Sequence, residues 1–280
     1  MTAGPRPGSA RRQAQAPNSA VLRTKLTLAR GRLRSAVERI WRHPDLTGMF
    51  LAYLVETHQI VRASVPLMRA ARRRSLAMAG ADPVCAPLAR YFARHISQER
   101  DHDQWTLDDL EAVGIARAWV IGQMPPPEVA AMVGSQYYWI DHHHPISLLG
   151  YIAVLEGYSS STEMVEKLRA ASGLPRAVFR TYELHVREDP GHSQDLYALL
   201  DSMSLSRRHH QAIGLSALHT VQQLGACLDG LEPMARPTGQ NSSRSFGESG
   251  KRGRRAAPAR STRRRDHDTS ASSGTTGRGR

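Results

Sequence analysis

Tyr182-Glu183-Leu184-His185-Val186-Arg187-Glu188-Asp189-Pro190-Gly191-His192-Ser193 reads His-x-x-x-Asp-x-x-His. On a helix turning about 100° per residue, offsets of four and seven bring His185, Asp189 and His192 onto one stripe about 60° wide. Three such side chains can share a metal ion. Two neutral imidazoles and a carboxylate suit non-haem iron, and zinc and manganese accept similar donors. A solvated helix face is the competing reading of the triplet alone.

The pattern recurs upstream. His95-Ile96-Ser97-Gln98-Glu99-Arg100-Asp101-His102 reads His-x-x-x-Glu-x-x-His, with the same offsets of four and seven. Two helices could thus present matching donors to one centre. A third candidate, Glu156, ends the apolar run Ile146-Ser147-Leu148-Leu149-Gly150-Tyr151-Ile152-Ala153-Val154-Leu155. A charge there costs several kcal/mol unless a cation or hydrogen-bond donors meet it. A metal ion meets that need, and a structural ion pair with an arginine is the alternative.

Together these stretches resemble the haem-oxygenase-like diiron oxidases and oxygenases, the iron-containing redox enzymes. That family carries Glu-x-x-His on one core helix, a Glu followed by Gly on a second, and His-x-x-x-Asp-x-x-His on a third. Here these are Glu99-Arg100-Asp101-His102, Leu155-Glu156-Gly157 and His185 to His192. Asp108-Asp109-Leu110-Glu111-Ala112-Val113-Gly114 looks like the family's helix end after the first motif, and Pro145 to Gly157 like its proline-led second core helix. The resemblance spans roughly residues 45 to 230. It departs at Pro190-Gly191, inside the third motif, and at Gln98, where a second Glu is expected.

The resemblance implies a non-haem diiron oxidase or oxygenase that activates O2 to oxidise a small organic substrate, by N-oxygenation, hydrogen abstraction or oxidative C–C cleavage. The implied ligands are Glu99, His102, Glu156, His185, Asp189 and His192, holding Fe(II), two per chain. His102 is assigned to one iron, two donors of the third motif to the other, and Glu156 or Glu99 to bridging or chelation. His95 is expected beside the centre or against the substrate, and Tyr137 in the pocket wall. Two alternatives stay open. One is a haem-binding or haem-degrading protein of the same fold, with His58 as axial ligand unless it is a hydrogen-bonded core residue. The other is a non-enzymatic helical interaction protein that works through basic tails.

Charge separates those tails from the rest. Residues 1–35 carry +8 and residues 236–280 carry +9, whereas residues 36–235 carry −4, together the chain's +13. The high isoelectric point therefore belongs to the ends, and the middle lacks the basic face of a nucleic-acid-binding core. The C-terminal segment, rich in Ser, Gly, Thr and Arg with Phe246 as its single aromatic, cannot bury enough apolar surface to fold. Non-specific contact with polyanions, or no role at all, is what such a tail allows. Cys85 and Cys227 sit among apolar neighbours, fit core packing, and are too few for a disulfide framework. No apolar run suggests a membrane span, and the cytoplasm is the expected location. A homodimer is a further expectation.

Helical spacing predicts an all-α bundle of seven or eight helices, which the resemblance implies is haem-oxygenase-like, a domain over residues 19–235 between disordered segments 1–18 and 236–280. The stretches run from about 20 to 43, 46 to 78, Asp82 to Gly114, 125 to 141, Pro145 to Gly157, 161 to 172, 175 to 203 and 206 to 231. Residues 115–124 read as a connection, and His142-His143-His144 as a helix end or a loop lining the site. Pro190 predicts fraying or a kink after Glu188 in the absence of metal, because it removes a donor and crowds the preceding turn, with iron binding to Asp189 and His192 offsetting that cost.

Overall fold

The computed structural model describes residues 16–157 and 161–235. The disorder expected of residues 1–15 and 236–280 lies outside the described residues, while Asn18 already belongs to the first helix. Among the described residues there is no strand. Eleven α-helices follow one another: α1 (Asn18–Trp41), α2 (Leu46–Val61), α3 (Ser64–Met78), α4 (Cys85–Gln98), α5 (His102–Glu111), α6 (Arg117–Gly122), α7 (Pro127–His142), α8 (Leu148–Gly157), α9 (Thr162–Ser172), α10 (Arg180–Ser202) and α11 (Arg207–Gly230). Short 3-10 turns, Pro145–Ser147 and Arg176–Phe179, lead into α8 and α10.

All eight predicted stretches are helical; the larger count comes from two breaks and one addition. The expected helix 46–78 divides at Arg62-Ala63. Pro66 has no N–H to give the carbonyl of Arg62, and its ring clashes there, so the chain restarts as α3. The helix expected to run from Asp82 to Gly114 divides at Glu99–Asp101, where Asp101 adopts φ 69°, the left-handed region that an Asp tolerates better than most residues. The connection 115–124 holds α6, anchored by the buried Val120.

Two apolar clusters make the interior. The larger joins α1, α3, α4, α7, α8, α10 and α11, with Tyr91, Phe92, Leu148, Leu149 and Leu196 at its heart. The smaller joins α2, α5 and the turn before α10, where Phe50 stacks on Phe179 at 5.1 Å and meets Tyr182 edge-on. Cys85 and Cys227 are free and buried, as core packing requires. No described helix is long and apolar enough to cross a membrane.

Two devices set the helices that carry the candidate donors. On α8, a Cβ on Gly150 would collide with the backbone of Ile213 and Ala217, so the absence of a side chain lets α8 lie directly on α11. At the start of α10 the Thr181 amide donates to the buried Asp109 carboxylate at 2.9 Å, and Arg180 pairs with Asp108 at 2.5 Å. Held there and by Leu196 and Leu200 in the core, α10 remains helical through Pro190 and Gly191 to Ser202. The fraying expected after Glu188 is not seen.

Candidate metal centre

Four elements bring their polar residues to one place between the apolar clusters. Helix α4 supplies His95 and, at its C-cap, Glu99; α5 begins with His102; α8 supplies Glu156; α10 supplies His185, Asp189 and His192. The break at Asp101 matters here, because it lets His102 start a new helix while its ring stays beside Glu99.

The donors form two sets with one member in common. His95, Glu99, Glu156 and His192 offer ligand atoms within 4.8 Å of one another, and so do Glu99, His102 and His185. Glu99 Oε1 lies 3.5 Å from His192 Nδ1, and its Oε2 lies 3.2 Å from His102 Nδ1. The two oxygens of one carboxylate thus face different sets. Within the sets, His95 Nε2 is 2.6 Å from Glu156 Oε1, and His102 Nδ1 is 3.2 Å from His185 Nε2. The partition expected from sequence therefore changes: His185 groups with His102, away from His192. His95, expected beside the centre, stands within the first set. Asp189 belongs to neither set but is buried between the two histidines of its helix and borders the adjoining cavity.

The electrostatics show a site short of positive charge. Burial and the nearby charges of Glu156, Glu99 and Glu188 push Asp189 up to about 8. Burial likewise raises Glu156, against the opposing hydrogen bond from His95. Burial works on Glu99 too, but the hydrogen bond and charge of His102 outweigh it and hold the carboxyl below its ordinary value. Burial would lower His95, yet the Glu156 hydrogen bond prevails and raises it. His185 is lowered by burial and by His102. Glu156 Oε2, His192 Nδ1 and His102 Nε2 are buried without a hydrogen-bond partner, a costly arrangement that bound cations relieve. Oxygen and imidazole donors of this kind fit iron.

Beside the donors lies a cavity of about 200 Å³. Its wall includes His95, Glu99, Glu156, His185 and Asp189, and continues over apolar side chains such as Leu67, Met68, Ile152 and Leu228. Tyr151 also lines it; its buried hydroxyl has no partner, nor has that of Tyr91, which stacks on His95 at 5.3 Å. Neither tyrosine carries a sequence signal beyond its place in an apolar run. His58 and Tyr137 do not line the cavity. Residues 53, 57, 60 and 61 turn one face of α2 toward it, and His58 lies off that face, buried where Arg62, Asp103 and Arg117 act on it. Tyr137 packs against the larger apolar cluster instead.

His144 proves to be part of a separate group. It is buried, and its Nε2 and that of His209 lie 3.4 and 3.1 Å from Asp82 Oδ2. Each ring accepts a backbone N–H at Nδ1, from Ile146 and Ser206 respectively. A neutral ring that accepts at Nδ1 carries its proton on Nε2. Both rings therefore donate to Asp82, a hydrogen-bonded clasp that ties the loop before α4 to the end of α7 and the first turn of α11 with the imidazole nitrogens already engaged.

A family model described as "iron-containing redox enzyme" matches residues 87–226, which are 140 of the chain's 280. Among solved structures, a domain of unknown function with a haem oxygenase-like fold from Shewanella denitrificans OS217 superposes with a TM-score of 0.62 at 13% identity, covering 76% of this chain and 88% of that one. A TenA homolog from Pseudomonas syringae pv. tomato DC3000 gives 0.58 at 13% identity, covering 81% and 97%. A CADD-like protein of unknown function from Nostoc punctiforme PCC 73102 gives 0.56 at 16%, covering 76% and 96%. No curated protein matches. At these identities the superpositions establish the fold, which is haem oxygenase-like.

Proposed function

This chain belongs to the iron-containing redox enzyme family, and from that premise we propose that it is a non-haem diiron oxidase or oxygenase acting on a small organic substrate bound in the cavity. The observation that carries this reading is the division of the Glu99 oxygens between two donor sets, the arrangement a carboxylate needs to serve two cations at once. His102 and His185 would hold one iron, His95, Glu156 and His192 the other, with Asp189 placed to complete the negative charge. When bound, the reduced iron pair supplies the electrons for activating O2.

The remaining work falls to the chain's own groups. Burial of His95, His102, Glu156, Asp189 and His192 limits water in the reacting space and strengthens the electrostatic contacts inside it. The hydrogen bond between His95 and Glu156 fixes the orientation of both side chains before any ion arrives. The Tyr151 hydroxyl, buried in the cavity wall without a partner, is available to orient a polar atom of the substrate. The apolar wall positions the body of the substrate against the donors.

The haem alternative rests on His58, whose ring is outside the cavity wall. O2 uptake after anaerobic Fe(II) loading tests the proposal. The wild-type chain should consume O2, and Glu156→Ala and His185→Ala should each abolish that uptake while keeping the helical circular dichroism signal. Undiminished uptake in either variant would overturn the assignment.

A further inference from the structure

Helix α2 presents Tyr53, Glu56, Thr57, Ile60 and Val61 to the cavity. Glu56 is the anomaly among them. It makes no hydrogen bond or ion pair with any described residue, and the charge acting on it is that of Glu128, another carboxylate. Its own charge bears on Cys227 of α11, which is pushed up to about 12 by burial and then by Glu56, and not on the donor residues, whose charges bear on one another. Glu56 is thus a carboxylate in the cavity wall, apart from the metal donors and without a cation of its own. Burial and Glu128 raise it to about 7.

The rest of the wall sharpens the point. The described lining residues include four carboxylates, Glu56, Glu99, Glu156 and Asp189, and no lysine or arginine. Two iron ions would answer the last three, but they leave Glu56 as it is. An anionic substrate has nothing to pair with at that position, and a neutral one leaves the half-buried carboxylate without a counter-charge. A substrate carrying a positive charge resolves both difficulties, and the apolar side chains of Ile60, Leu67, Met68, Leu224 and Leu228 call for a hydrocarbon body behind that charge.

We infer that the cavity takes an apolar-bodied primary amine, its ammonium group held by the Glu56 carboxylate and its hydrocarbon body laid along α2, α3 and α11 toward the donor residues. This inference rests on reading the cavity as the substrate site. It places the oxidised position away from the nitrogen, because the carboxylate that holds the ammonium is not one of the donors.

Calorimetric binding of n-octylamine, octan-1-ol and octanoate to the full chain tests it, with protein loaded anaerobically with Fe(II) and, in parallel, metal-free. The wild type should bind the amine roughly tenfold to hundredfold more tightly than the alcohol, the worth of a charge-assisted hydrogen bond, and the carboxylate most weakly. Glu56→Gln, which keeps the shape and removes the charge, should bind amine and alcohol alike. Glu56→Lys should reverse the order in favour of octanoate, so the inference does not depend on one variant. Failure of the wild type to bind the amine, equal affinity for amine and alcohol, or an amine preference that survives Glu56→Gln overturns it. Iron counts on the same samples separate the two claims. Amine selectivity without iron uptake would leave the substrate class standing and remove the diiron reading; iron uptake without amine selectivity would do the reverse.

Discussion

Glu99 and the histidines around it should respond differently to replacement. Because its oxygens face both donor sets, Glu99→Ala should lower bound iron below one ion per chain, whereas His192→Ala and His185→Ala, each confined to one set, should leave close to one. Equal iron loss in all three variants, measured by metal analysis after anaerobic loading, would mean that Glu99 is not shared. Glu56 invites a second test. Its folded-state value is raised from 4.5 to about 7, so the unfolded chain gives up that proton first. The penalty is absent below about pH 4.5, grows as pH rises toward 7, and is complete above it. Glu56→Gln removes it and should be more stable than wild type by about 1–2 kcal/mol above pH 7, after allowing for solvent screening, with no difference near pH 4. Parallel melting curves for the two proteins across that range would show that Glu56 is better solvated than its position implies. Of these residues, the spacing of His95, Glu99 and His102 and of His185, Asp189 and His192 was legible in the sequence, as was the anomaly of a carboxylate in the Glu156 helix. Which histidine shares a set with which was not, since residues brought together from α4, α5, α8 and α10 leave no trace in spacing along any one of them.

The helices show the same division between local signals and tertiary ones. Apolar periodicity identifies all eight helical stretches, and Pro66 accounts in hindsight for the break between α2 and α3. The break at Asp101 has no such marker: neither Gly nor Pro occurs from Glu99 to Asp101, and Asp only tolerates the left-handed region without requiring it. Pro190 misleads in the opposite direction. Its local cost argues for a broken helix, but the anchors at Asp108 and Asp109 and the buried Leu196 and Leu200 hold α10 on both sides of it. Pro190→Ala should therefore stabilise the chain, by up to about 3 kcal/mol, by restoring a donor to the Val186 carbonyl; chemical denaturation that shows no gain would mean that α10 has adapted fully to the proline. The contact of α8 with α11 should tolerate much less. Gly150→Val forces a side chain into the Ile213 and Ala217 backbone, with an expected loss of about 1–3 kcal/mol or more and weaker iron retention, because α8 carries Glu156 away with it. Wild-type iron retention in that variant would show that Glu156 reaches the centre without the close packing.

For the chain as a whole, charge and chemistry are separated along the sequence. The positive charge is concentrated in residues 1–35 and 236–280, while the family match and every donor lie between them. Removal of residues 236–280 should accordingly leave iron stoichiometry and O2 uptake unchanged; a large loss of either would show that the segment reaches the site. The fold class was legible because a haem oxygenase-like bundle is built from long amphipathic helices whose periodicity is local, and the candidate site was legible as three motifs in order. Its cavity, and the unpaired Glu56 within it, emerge only when α2, α3, α8, α10 and α11 are assembled. The central claim is that two irons share one carboxylate in the interior of this bundle. Anaerobic titration of the metal-free chain with Fe(II), followed to saturation and checked by elemental analysis, addresses it most directly. An endpoint close to two ions per chain is the predicted result; an endpoint at one or none contradicts it.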